Sequence, residues 1–155
     1  MKALSLKPEW AMPVLFAQKT IECRSWKTDY RGDLLICSSA KKCPATISGK
    51  ALCIVSLDDI TPFTAEHMDG ALMDGLEMPD NCYAWHFSNL RWIEPFDVKG
   101  KLHLYDVDDE LIKIIPETIS DVDALKRFYE PLVYWGRNKK EARKIWDDAV
   151  SVSFL

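Results

Sequence analysis

Between residues 19 and 42 the chain concentrates side chains able to grip an anion. Lys19-Thr20-Ile21-Glu22-Cys23-Arg24-Ser25-Trp26 is followed by Tyr30-Arg31-Gly32 and then by Lys41-Lys42. Guanidinium forks fit phosphate oxygens or a base edge, an ammonium group supplies a point charge, and Trp26 or Tyr30 offers a ring face on which a nucleobase can stack. With Lys7 upstream, the candidate ligand-binding set is Lys7, Lys19, Glu22, Arg24, Trp26, Tyr30, Arg31, Lys41 and Lys42. For catalysis the candidates are Lys19 and Glu22. Neighbouring Arg24 and Arg31 would disfavour the Lys19 ammonium and make it a base, whereas pairing with Glu22 would hold it charged as a phosphate clamp. The competing structural reading is a surface ion pair beside two partly buried aromatics.

The elements that must position these residues follow from spacing. From Thr20 to Trp26 the pattern alternates, so Ile21 and Cys23 face a core while Glu22 and Arg24 share the opposite, outward face of a strand. Thr28 to Asp33 has turn chemistry, and Leu34-Leu35-Ile36-Cys37 and Ala51–Leu57 read as buried strands. Further strand-like runs cover 82–87, 90–93, 102–107 and 111–115, with breaks near Pro95 and Gly100. Short strands at this spacing predict a small barrel in an α+β domain. Upstream, Trp10, Val14 and Leu15 form the buried stripe of a short helix that must accommodate Pro13. The stretch from Thr61 to Asp80 reads as a long excursion with at most a short helix near 65–73. Beyond Pro116 the tail turns helical: Ser120 with Asp123 caps a helix directing Val122, Leu125, Phe128 and Tyr129 inward. Asn138 with Glu141 caps another, carrying Ala142, Ile145, Trp146 and Ala149 on one face. The expected division is a barrel domain over 1–116 and a helical extension over 117–155 packed on it.

Composition narrows the function. The 155 residues carry a formal net charge of −4, but the basic residues cluster in the first fifty, while Asp58 to Asp80 holds acidic side chains and no lysine or arginine. An anionic ligand favours the first region, and the acidic stretch or the C-terminal helices are the candidate surface for a protein partner. Five cysteines without a Cys-x-x-Cys pair argue for reduced thiols, no metal and no cofactor. No long apolar run marks a signal peptide or membrane span, so a cytoplasmic, membrane-free location is expected. Walker, GxSxG, GxGxxG and zinc-deaminase signatures are absent. Trp85 and His86 can line a cleft or fill the core, and His67 and His103 stand alone.

Several motifs in one order give a resemblance. Ser5-Leu6-Lys7-Pro8-Glu9-Trp10-Ala11, Lys19-Thr20-Ile21-Glu22-x-Arg24-Ser25-Trp26, Tyr30-Arg31-Gly32-x-Leu34-Leu35-Ile36 and Ala40-Lys41-Lys42 resemble the opening of ASCH (activating signal cointegrator homology) domains. Tyr83 to Asn89 and Ile93 to Gly100 are similar to the later part, so the resemblance covers about residues 4 to 107. It implies a PUA-like β-barrel with flanking helices and a cleft beside the first helix that holds a nucleic acid or nucleotide, RNA or a modified base foremost. Family members are also associated with RNA cleavage and N4-acetylcytidine hydrolysis. The small amidohydrolase members carry Lys-Thr-Ile-Thr-x-Arg, with the lysine and second threonine catalytic. Lys19 and Arg24 match that pattern, but Glu22 stands in the place of the threonine and lacks its hydroxyl.

Overall fold

The computed structural model describes residues 1–153. In chain order they form β1 (Lys2–Leu6), α1 (Pro8–Leu15), β2 (Ile21–Arg24), β3 (Gly32–Ser38), β4 (Lys50–Pro62), β5 (Tyr83–Asp97), β6 (Tyr105–Asp106), α2 (Asp121–Ala124) and α3 (Lys139–Ser153). The strands make one mixed sheet in the order β2-β5-β4-β3-β1-β6. β1 runs parallel to β3, and the remaining ladders are antiparallel. This is the expected α+β class.

The barrel, however, is not closed. β2 and β1 are separated by three strands in the hydrogen-bonded order, yet Arg24 on β2 donates to the Ser5 carbonyl of β1 at 3.1 Å. The sheet therefore curls until these strands nearly meet. No ladder joins them among the described residues; side chains and one loop carbonyl satisfy the facing edges instead. The outward amide of Cys23 donates to its neighbour Glu22 Oε1 at 3.0 Å, that of Ile21 to Gly70 O at 3.1 Å, and Ser5 O is taken by Arg24. A backbone edge satisfied in this way has no need of a strand partner.

Long, bulged strands produce the curl. β4 and β5 pair along nearly their whole lengths with three register shifts, and each extra residue bends and twists the ribbon. The runs expected at 82–87 and 90–93 are one strand, continuous through Asn89 in the left-handed region at φ 52°. Pro95 fails to break it because it falls in the shift between the Cys53–Trp92 and Ala51–Phe96 pairs, where no ladder hydrogen bond is demanded of it. Runs expected at 102–107 and 111–115 shrink to the two residues of β6 and a single Ile93–Ile114 bridge. β1, by contrast, carried no strand expectation.

The main core lies inside the curl, where Leu4, Leu6, Leu34, Ile36, Leu52, Val55 and Trp85 meet Ala11, Val14 and Leu15 of α1. Trp85 thus resolves to core. The tail enters the same cluster through Leu125, Tyr129, Ala142 and Trp146. Tyr129 places its hydroxyl 2.8 Å from both the Leu52 and Ile93 carbonyls, and Trp146 meets Phe16 edge to face at 5.4 Å. Both caps form as expected: Asp123 N donates to Ser120 Oγ and Glu141 N to Asn138 Oδ1. Val122 and Ile145 depart from their expected burial and are exposed. In α3 the buried stripe runs Ala142, Trp146, Ala149, Val150, which leaves Ile145 on its rim. No helix among the described residues is long and apolar enough to cross a membrane.

Candidate ligand-binding cleft

The seam left between β1 and β2 opens into a cavity of about 840 Å³. Lys7 and Trp10 of the β1–α1 corner, Lys19, Glu22 and Arg24 of the β2 approach, and the loop carrying Lys99 and Lys101 line it, with Met73, Leu76 and Leu102 supplying apolar wall. Five cationic side chains thus face a single carboxylate.

At the floor is Lys19, 3% exposed. Its Nζ donates to Ala71 O at 2.9 Å, lies 3.7 Å from Glu22 Oε1 and stands 4.8 Å from the centre of the Trp10 ring. Burial pushes the Lys19 pKa down, Glu22 pulls it up, and Arg24 adds a smaller downward push. Desolvation rather than like charge is the leading cause. Glu22 Oε2 lies 3.5 Å from Arg24, so the carboxylate bridges the two cations. Glu22 and Arg24 share one strand face as the alternation requires, while Ile21 and Cys23 turn to a satellite cluster with Phe63, Met68, Ala71 and Ala84. Yet Glu22 is 7% exposed, because that face looks into the seam rather than into open solvent.

The structure gathers four of the nine sequence candidates in the cleft: Lys7, Lys19, Glu22 and Arg24. The other five lie elsewhere. Trp26 packs edge-on against Trp85 at 4.7 Å and His103 at 4.6 Å, and its carbonyl accepts from Trp85 Nε1. Tyr30 donates through its hydroxyl to Asp33 O. Arg31 closes the same turn on the Thr28 and Tyr30 carbonyls and pairs with Asp59. Lys41 pairs with Glu9 at 2.8 Å, drawing the Glu9 pKa down, and Lys42 lies over the Tyr134 ring.

Sequence reasoning missed Trp10, Lys99, Lys101 and the wall from residues 71–76. Trp10 was expected in the core but is 36% exposed, presenting its ring to the cavity. Lys99 and Lys101 flank Gly100, and this alternating Lys-Gly-Lys run was the available signal. Gly100 packs so closely that a Cβ there would lie 2.7 Å from Ser5 Oγ, which brings both lysines against β1. The acidic excursion contributes its backbone and apolar side chains: Gly70 O receives the Thr20 and Ile21 amides, and Ala71 O receives Lys19. A second cavity of about 330 Å³ near Leu15, Trp92 and Pro116 has one cation on its wall, Arg91, already paired with Asp33 at 2.7 Å.

These features define a small α+β domain with a curled sheet and a cationic cleft at its open seam. The model of the ASCH domain matches residues 4–97, more than half of the chain, and the protein belongs to the ASCH domain family. Among solved structures it is similar to two single-residue variants of the ASCH protein of Zymomonas mobilis. One, a tyrosine-to-phenylalanine variant, is 14% identical with a TM-score of 0.51 over 70% of this chain and 91% of that one. The other, a serine-to-alanine variant, is 13% identical with a TM-score of 0.51 over 70% and 89%. At these identities the likeness is one of fold. No curated protein matches the chain.

Proposed function

We propose that the seam cleft binds single-stranded nucleic acid, RNA foremost, by its phosphates and one unpaired base. The observation that carries this reading is the cavity itself, about 840 Å³ with five cations against one carboxylate and the exposed Trp10 ring at its side. Lys7, Lys99 and Lys101 are exposed and meet phosphate; Trp10 offers the base a stacking face. Arg24 spans the seam to Ser5 and fixes its width. The test is fluorescence anisotropy of a labelled single-stranded RNA across a salt series. Lys7→Ala, Lys99→Ala and Lys101→Ala each weaken binding and each lower the salt slope by roughly one unit. Arg31→Ala and Lys42→Ala, outside the cleft, leave both unchanged. Equal affinity and slope in all five variants and the parent protein removes the cleft as the binding site.

A second, hydrolytic reading is favoured by one observation, the burial that drives Lys19 toward the neutral amine a general base requires. Against it stand the Ala71 hydrogen bond and the Glu22 pair, both of which favour the ammonium. Incubation with N4-acetylcytidine and with a short RNA is therefore expected to leave both substrates intact. Brisk turnover that disappears in Lys19→Ala replaces binding with catalysis.

A further inference from the structure

Two of the five free thiols lie outside the main core, against the satellite cluster beside the cleft. Cys23 lies on β2 between Glu22 and Arg24 and lines the cavity; Cys82 ends the excursion just before β5. Register brings them together. Cys23 pairs with Ala84 and Arg24 with Tyr83, so Cys82, two residues before Ala84, projects from the same sheet face as Cys23 on the diagonal. Both pack against one cluster with Ile21 and Met73. Cys37 and Cys53, by contrast, are buried in the core.

We propose that Cys23 and Cys82 are a redox modification site that forms a reversible disulfide with a low-molecular-weight disulfide such as oxidised glutathione as oxidant. Burial, the neighbouring Cys82 and Glu22 hold the Cys23 thiol up to about 12, so Cys82, beside the exposed turn at Asp80 and Asn81, meets the oxidant first. Its thiolate attacks one sulfur of the small disulfide and expels one small thiol. Cys23 then attacks the Cys82 sulfur of the mixed disulfide, expelling the second. Two protein thiols lose two hydrogens in all, and these leave on the two small thiols. Diagonal neighbours in an antiparallel pair have Cα atoms about 7–8 Å apart, slightly beyond the usual disulfide span of about 4.4–6.8 Å. The bond therefore forms with a small closure of the excursion onto β2 and is readily reduced. Its effect is to staple the end of the segment whose Met73 and Leu76 supply apolar wall to the cleft.

The experiment incubates the folded, ligand-free protein with oxidised glutathione, followed by intact mass measurement and non-reducing peptide mapping. The expected result is a loss of about 2 Da, a fall of two in the count of free thiols from five, and one cross-linked peptide joining Cys23 to Cys82, all reversed by dithiothreitol. Cys23→Ser with native circular dichroism instead retains a glutathione adduct on Cys82, and Cys82→Ser stays unmodified at Cys23. A stable adduct in the parent protein, a cross-link through Cys43, or five thiols surviving oxidant overturns the proposal. Because no nucleic acid is present, failure here is distinct from failure of the binding function.

Discussion

Burial of the Lys19 ammonium sets the behaviour of the cleft floor. Its ordinary value is 10.5 and folding lowers it, so between the folded value and 10.5 the unfolded chain binds more protons than the folded one. Stability contributed by this group therefore rises with pH across that window, and below it the protein carries the full penalty of the buried charge. Glu22 offsets part of that penalty. Glu22→Ala leaves the ammonium with Ala71 O as its remaining close partner, and the expected cost is about 3–5 kcal/mol at pH 7. The cost shrinks as pH approaches 10, because the neutral amine needs no counter-charge. Urea melts of parent and variant between pH 7 and 10 measure the difference, and a cost independent of pH sinks the argument.

Elements hold these residues by close backbone approach more than by the strand pairing a barrel would use. The loop bearing Lys99 and Lys101 approaches β1 because Gly100 has no side chain, and Ser5 Oγ, bonded to the Tyr105 hydroxyl at 2.6 Å, fills the space a methyl group would take. Gly100→Ala forces the loop outward at a cost of about 1–3 kcal/mol, and it carries two cations away from the cavity. The expected outcome is a folded protein with weakened RNA affinity and a shallower salt slope. A variant that binds as the parent does shows the loop to be no part of the site. Tyr129 plays the corresponding role for the tail, since its hydroxyl reaches the Leu52 carbonyl of β4 and the Ile93 carbonyl of β5.

Over the whole molecule, barrel-side and tail elements share one apolar cluster, so the tail supports the cleft from behind through α1. Trp146 contacts Phe16 at the end of the helix whose first turns carry Trp10. Trp146→Ala removes about 3–5 kcal/mol of packing and lowers the denaturation midpoint in one cooperative transition, with no separate early loss of the tail. Two resolved transitions in the parent protein contradict a shared core. Charge is arranged at the same scale: the chain is acidic in sum, while the seam sets five cations against one carboxylate, so attraction of an anion to the cleft decays with added salt.

The sequence by itself determined the α+β class, the family resemblance, the strand face shared by Glu22 and Arg24, and both helix caps, because each follows from local periodicity or a short motif. Lys7, Lys19, Glu22 and Arg24 were legible as a site for the same reason. The tertiary structure alone decided which other residues join them. Trp26, Tyr30 and Arg31 read as ligand groups along the chain, but local turns and ring contacts claim them. Lys99 and Lys101 lie some eighty residues from Lys19 and reach it only because a bulged sheet curls. The open seam was equally invisible, since it depends on Glu22, Arg24 and the Gly70 carbonyl satisfying the facing edges of β1 and β2, a relation between distant backbones that no periodicity records.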